Sequence, residues 1–190
     1  SFFDPNSLTR GNTLISPYAD KEYEPEVFYY TDAINDHATR FINEHKGDDP
    51  FFLYVAHTAP HWPMHALPED MEKYKGRYDE GWEVIRQARY QRQLEMGLID
   101  PKWKLSPRDA EAWKDAKNKE WEIRLMEAYA AMVDRLDQGL GKVIGALEKR
   151  KMLDNTLIMF IADNGGCAEG MGRKEGIQYK DSDPEILKPM

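Results

Sequence analysis

Cysteine is nearly missing from this chain. Cys167 is the one example in 190 residues, so no internal disulfide can staple the fold. No apolar run approaches the roughly 20 residues that a membrane-spanning helix needs, and no signal-peptide pattern opens the chain. Excess positive charge is absent too. Acidic residues outnumber basic ones, 34 to 26, for a net charge of −8, which argues against nucleic acid or an anionic membrane as a partner. An acidic protein that handles an anionic substrate needs local positive charge, most simply a metal ion. What is present is ordinary for a soluble domain: 41% hydrophobic and 32% charged residues, at a length sufficient for one real core. The opening Ser1-Phe2-Phe3-Asp4-Pro5 reads as the middle of a longer chain rather than a natural beginning.

Two apolar runs organise the rest. Residues 50–63, PFFLYVAHTAPHWP, begin with an unbroken apolar and aromatic stretch over 51–56. That length and makeup predict a strand covered on both faces. The run stops in His57, Thr58, Pro60, His61 and Pro63, and the prolines bar a ladder or a helix between them. His61 is therefore predicted in a stiff segment just past a strand end, where open α/β sheets place their chemistry. Residues 156–162, TLIMFIA, repeat the buried-strand pattern and end in Asp163-Asn164-Gly165-Gly166.

Between and around these runs the chain reads as helix and loop. Residues 1–25, with Pro5, Gly11, Pro17 and Pro25, read as loop. Tyr30, Ile34, Ala38, Phe41 and Ile42 recur at helical spacing, with Thr31 or Asp32 as a cap; His37 and His45 on this helix read as ordinary helix residues. Pro68-Glu69-Asp70 marks a helix start, and helical character resumes from Trp82 to Met96. The basic residues Lys73, Lys75, Arg77, Arg86, Arg89 and Arg92 alternate with acids, as on a solvated face. Ser106-Pro107-Arg108-Asp109 predicts a capped helix start. Trp121, Leu125, Ala128, Met132, Leu136, Leu140, Val143 and Leu147 then step by threes and fours, the clearest amphipathic helix in the chain. Leu153-Asp154-Asn155 turns into the second run. Residues 167–190 read as a surface insertion or a frayed end.

The order predicts an α/β protein in which the two strands lie parallel, within a largely parallel sheet flanked by helices, joined by a right-handed crossover. Parallel strands present their carboxyl ends on one edge, so His61 and Asp163/Asn164 are expected to face a shared site. A carboxylate beside an amide oxygen suits Ca²⁺ or Mg²⁺ rather than zinc. A hairpin turn explains Asn164-Gly165 equally well. For His61, a structural histidine fixed by two prolines stands beside a group that protonates a leaving oxygen. His57 and His65 are weaker candidates. Cys167 and Lys174 read as loop residues.

Several separated motifs, in order, resemble type I sulfatases of the arylsulfatase kind, within the alkaline phosphatase-like superfamily. They are YYTDAINDHATRFI, PFFLYVAHTAPHWP, YKGRYDEGW with IRQARYQRQLEMGLI, YAAMVDRLDQGLGKVI and LDNTLIMFIADNGG, covering about residues 29–166. The resemblance implies that His61 touches a sulfate ester and that Asp163 and Asn164 supply two oxygens to a Ca²⁺ ion. It also implies a formylglycine nucleophile made from a Cys/Ser-x-Pro-x-Arg motif, which this sequence lacks, since Cys167-Ala168-Glu169-Gly170-Met171 has neither Pro nor Arg. The early Asp-Asp metal pair and the family's active-site lysines have no match here either. The expectation is the central part of a sulfatase catalytic domain, inactive alone. Its nucleophile would come from outside residues 1–190, its substrate would be a small or glycan sulfate ester, and its location periplasmic or secreted. A phosphodiesterase or phosphonate hydrolase of the same superfamily, or a non-catalytic α/β binding protein, are the competing readings.

Overall fold

Helix α4, Lys119–Lys149, is the beam on which the rest is laid. Glu120 and Glu122 stand in its first turn and Lys149 in its last, each favourable to the helix dipole. Its buried stripe includes Leu125, Ala128, Ala131, Met132, Leu136, Ala146 and Leu147. Helix α1, Tyr30–Glu44, lies against it through Ala33, Asn35, Ala38 and Ile42. Tyr29 occupies the cap position of α1 without a side-chain cap bond, so neither Thr31 nor Asp32 caps it. Thr31 is buried, and Asp32 instead receives two bonds from Arg135 of α4, at 2.8 and 2.6 Å. At the far end, the Arg150 guanidinium donates to the carbonyls of Asn43 and His45, at 3.0 and 2.6 Å. It satisfies acceptors that the end of α1 leaves open.

The computed structural model describes residue 5, residues 7–108 and residues 110–165. The expectations for Gly166, Cys167, Lys174 and the 167–190 segment fall outside the described residues. Helix α2, Pro68–Glu72, begins where Pro68 predicts. It carries Asp70, which is 1% exposed. That carboxylate accepts from Lys73 at 2.7 Å, Gln138 at 3.0 Å and Arg135 at 3.4 Å. A buried charge is tolerable only with partners of this kind. Tyr29, Ala66, Leu67, Met71, Leu125, Ala128, Ala131 and Met132 form the main core; Ile42, Ala146 and Leu147 form a second.

Helix α3, Trp82–Glu95, contributes no buried residue. It is held at its base, where the Trp82 and Trp113 rings meet edge-on at 4.8 Å and Glu83 accepts from the Trp113 amide. Gly81 permits this. Its φ is 85°, and a Cβ there would stand 2.2 Å from the Trp113 ring. Among the described residues no helix is long and apolar enough to cross a membrane.

Four expectations need correction. Residues 1–25 are not all loop: strands β1 (Leu8–Arg10) and β2 (Thr13–Ile15) form an antiparallel hairpin around Gly11 at φ 58°, and a short 3₁₀ turn follows at Pro17–Ala19. No α-helix starts at Ser106-Pro107. Ser106 instead receives the Arg86 guanidinium on both its hydroxyl and its carbonyl, only a 3₁₀ turn forms at Trp113–Asp115, and α4 opens at Lys119.

The third and fourth concern the two runs predicted as buried parallel strands. Neither joins a ladder, and the one sheet among the described residues is the β1–β2 pair. In 51–56 burial alternates: Leu53 packs against the second core, whereas Phe52 and Tyr54 are 88% and 80% exposed. One face is covered, not two. In 156–162 every residue after Thr156 is exposed. The reason is physical: a strand satisfies its N–H and C=O groups only through neighbours, and among the described residues the structure records no backbone hydrogen bond involving 51–56 or 157–162. A parallel sheet is therefore not seen in residues 5–165.

Candidate functional site

Helix positions 31, 35, 38 and 42 of α1 form its buried stripe, and Asn35 is a polar residue in that stripe. A polar side chain there needs a partner. Asn35 finds two: its Nδ2 donates to Thr31 O at 2.8 Å, and its Oδ1 meets His57 Nε2 at 3.0 Å. In the sequence alone His57 stands as a weaker candidate than His61. The missed signal was Asn35 itself, whose place in an apolar stripe announces something polar above it.

From His57 the chain runs through Ala59, Trp62 and Met64, all packed against the main core, to His65, whose carbonyl accepts from Tyr29 Oη at 2.7 Å. The Ala59–Pro60 and Trp62–Pro63 bonds are both cis. Between these fixings His61 is exposed, in the stiff, irregular segment predicted for it. Its Nδ1 lies 2.7 Å from Trp62 O. A carbonyl can only accept, so in this contact Nδ1 carries the hydrogen. Burial holds the neighbouring His57 below its ordinary pKa, favouring its neutral form.

Asp163 and Asn164 sit on an exposed bend at the end of the second run. Asn164 Nδ2 donates to Gly165 O at 2.7 Å. That bond takes the amide nitrogen and leaves the amide oxygen as the atom suited to a cation. Carboxylate and amide oxygen are both hard donors, so the pair fits Ca²⁺ as part of a donor set. They are only part of one: among the described residues no cluster of three or more His, Cys, Asp or Glu can hold a metal. Among the described residues, the hydrogen bonds of His61 Nδ1 and of Asn164 Nδ2 are each made to the next residue's carbonyl rather than to one another.

The other sequence candidates resolve as structural. The His37 ring stacks on Phe41 and meets Tyr23, and His45 Nε2 contacts Asp49 O at 2.9 Å. Lys73 pairs with Asp70 and Asp134, and Lys75 with Glu72.

A family model described as Sulfatase matches residues 2–190. The chain belongs to the Sulfatase family. An uncharacterised sulfatase of Schizosaccharomyces pombe is 40% identical over 150 residues, 72% of this chain and 27% of that protein. An arylsulfatase of Klebsiella aerogenes is 28% identical over 168 residues, 86% of this chain and 35% of that one. The human N-sulphoglucosamine sulphohydrolase is 31% identical over 121 residues, 62% of this chain and 22% of that enzyme. This sulfatase chain thus spans between 22% and 35% of these relatives. Membership bears out the resemblance carried by the motifs and implies the α/β, alkaline phosphatase-like class.

Proposed function

We propose that residues 1–190 are the central part of a sulfatase catalytic domain that hydrolyses sulfate esters. The observation that carries this reading is the exposed His61 imidazole on a segment fixed on both sides of it. In the complete protein His61 lies against the ester oxygen that departs from sulfur. Its Nδ1–H is engaged by Trp62 O, which orients the ring. Nε2 then delivers a hydrogen bond or proton as negative charge develops on that oxygen.

Asp163 and Asn164 would hold Ca²⁺ together with oxygens from beyond residues 5–165. Bound there, the ion supplies positive charge against the sulfate, which a chain of net charge −8 otherwise lacks. The nucleophile, a formylglycine by family, is placed outside this chain. The group that carries the sulfate is aryl or glycan: the Klebsiella aerogenes relative is named an arylsulfatase, and the human one is named for a sulphated glucosamine, there joined through nitrogen. A periplasmic or secreted location goes with this reading.

The test is made on the complete protein. His61→Ala is expected to lower kcat for an aryl sulfate by about 10²- to 10³-fold with the fold intact. Added Ca²⁺ is expected to raise the unfolding temperature of the native protein and not that of Asp163→Ala. Faster turnover of an aryl phosphate diester than of an aryl sulfate would move the protein to phosphodiester chemistry. Full activity of a folded His61→Ala would remove the reading altogether.

A further inference from the structure

Asn35, His57 and Gly139 come from three separate stretches of sequence and occupy one volume. The two Asn35 bonds fix where the protons are. Thr31 O only accepts, so the Asn35 atom facing it at 2.8 Å is the amide nitrogen. The atom facing His57 is then the amide oxygen, which also only accepts. His57 must therefore donate from Nε2, and in the neutral ring Nδ1 carries the lone pair. This proton is committed to a fully buried amide, Asn35 being 0% exposed, and is not one a substrate can receive.

Helix α4 crosses the amide backbone-first. A Cβ at Gly139 would stand 2.0 Å from Asn35 Nδ2 and 2.3 Å from its Cγ. Both are far inside van der Waals contact, so a side chain at 139 forces the buried Asn35 amide to shift. Any side chain at 139 therefore expels the amide from the position in which it meets His57. On the far side of His61, Tyr29 Oη grips His65 O. The segment is tied down at 57 and at 65, and His61 stands between the ties.

We propose that Asn35 and His57 are a positioning pair for His61, and that Gly139 is the opening that admits Asn35. This rests on the reading of His61 as the group that meets the departing oxygen. The pair does no chemistry. It sets the origin of the four-residue path to His61, where a displacement of about 1 Å can cost about 100-fold in rate.

Three measurements on the complete protein test this. The first is independent of catalysis: ¹⁵N-correlated NMR of the histidine rings is expected to find His57 protonated at Nε2 in the wild type and to lose that preference in Asn35→Ala. The second is kinetic, with an aryl sulfate as substrate. His57→Leu is expected to lower kcat about 10- to 100-fold with KM within about threefold. His57→Gln, whose amide N–H can still donate to Asn35, is expected to stay within about threefold of wild type in kcat. The third is a pair of substitutions. Gly139→Ala is expected to lower both the unfolding temperature and kcat. Adding Asn35→Ala to it restores the unfolding temperature, because the clashing atoms are gone, but not kcat.

An Nδ1-protonated His57, normal kcat in a folded His57→Leu, or equal losses in His57→Leu and His57→Gln would each overturn the positioning role. An unfolding temperature that Asn35→Ala does not restore would overturn the role of Gly139. If His61→Ala kept full activity, the catalytic reading would fall while the tautomer and the restored unfolding temperature still decided the packing.

Discussion

The two apolar runs are richer in hydrophobic residues than the α1–α4 pair, yet it is the helices that are buried. Ala128, Ala131 and Met132 of α4 are 0% exposed, whereas Leu157 and Ile161 of the second run are 84% and 76% exposed. A helix pairs its own N–H and C=O groups and needs a neighbour only for one stripe. A strand needs a neighbour for everything. The α1–α4 pair therefore buries its facing stripes within the described residues, and the two runs find no strand partner there. Among the described residues, the helices that flank the His61 segment are packed while the two runs stand unpaired.

That contrast can be attacked from its strong side first. Met132→Ala is expected to cost about 2–5 kcal/mol in denaturant unfolding, as deletions from a filled core do. Loss near zero would mean that the helical half is loosely packed. Arg135→Ala removes both Asp32 bonds and one of the three that hold buried Asp70. The expected loss is about 2–3 kcal/mol, since Lys73 and Gln138 still serve Asp70. An unchanged midpoint would show that the network is ornamental.

Acid sharpens the comparison next. Burial lowers the pKa of both His57 and His37 from 6.5, so below about pH 6.5 the unfolded chain binds more protons than the folded one. Stability from these two is whole above that pH and declines as pH falls through their folded values. Urea midpoints should drop between about pH 7 and pH 5, and less so in His57→Gln. A midpoint that rises on acidification contradicts the sign. The smallest effect belongs to the exposed run: Leu157→Ser in the 190-residue chain is expected to stay within about 0.5 kcal/mol. A core-sized loss there would show the run paired in solution.

Much of the helical half was legible in the sequence because its signals are local. The threes-and-fours stripe from Trp121 to Leu147 marked α4, and Pro68 marked α2. The β1–β2 hairpin was legible in principle, since Gly11-Asn12 between Leu8-Thr9-Arg10 and Thr13-Leu14-Ile15 is a two-residue hairpin signal; prolines nearby drew the reading to loop. Ser106-Pro107 misled because a cap without an apolar stripe behind it starts nothing. The family was legible from motif order. Of the site, the stiff setting of His61 could be read from Pro60 and Pro63, and the donor types of Asp163 and Asn164 from their chemistry. Whether strands pair, and with whom, depends on partners far along the chain, and short apolar runs do not encode it. The link between Asn35 and His57 was invisible for the same reason.

The close passage of α4 over Asn35 has a consequence for inheritance. Codons 35 and 139 lie far apart yet write into the same few cubic ångströms, so they cannot drift separately. In homologues, a residue at 139 that gains a side chain should be found with a smaller one at 35, and where that exchange has happened, position 57 is released to become something other than histidine.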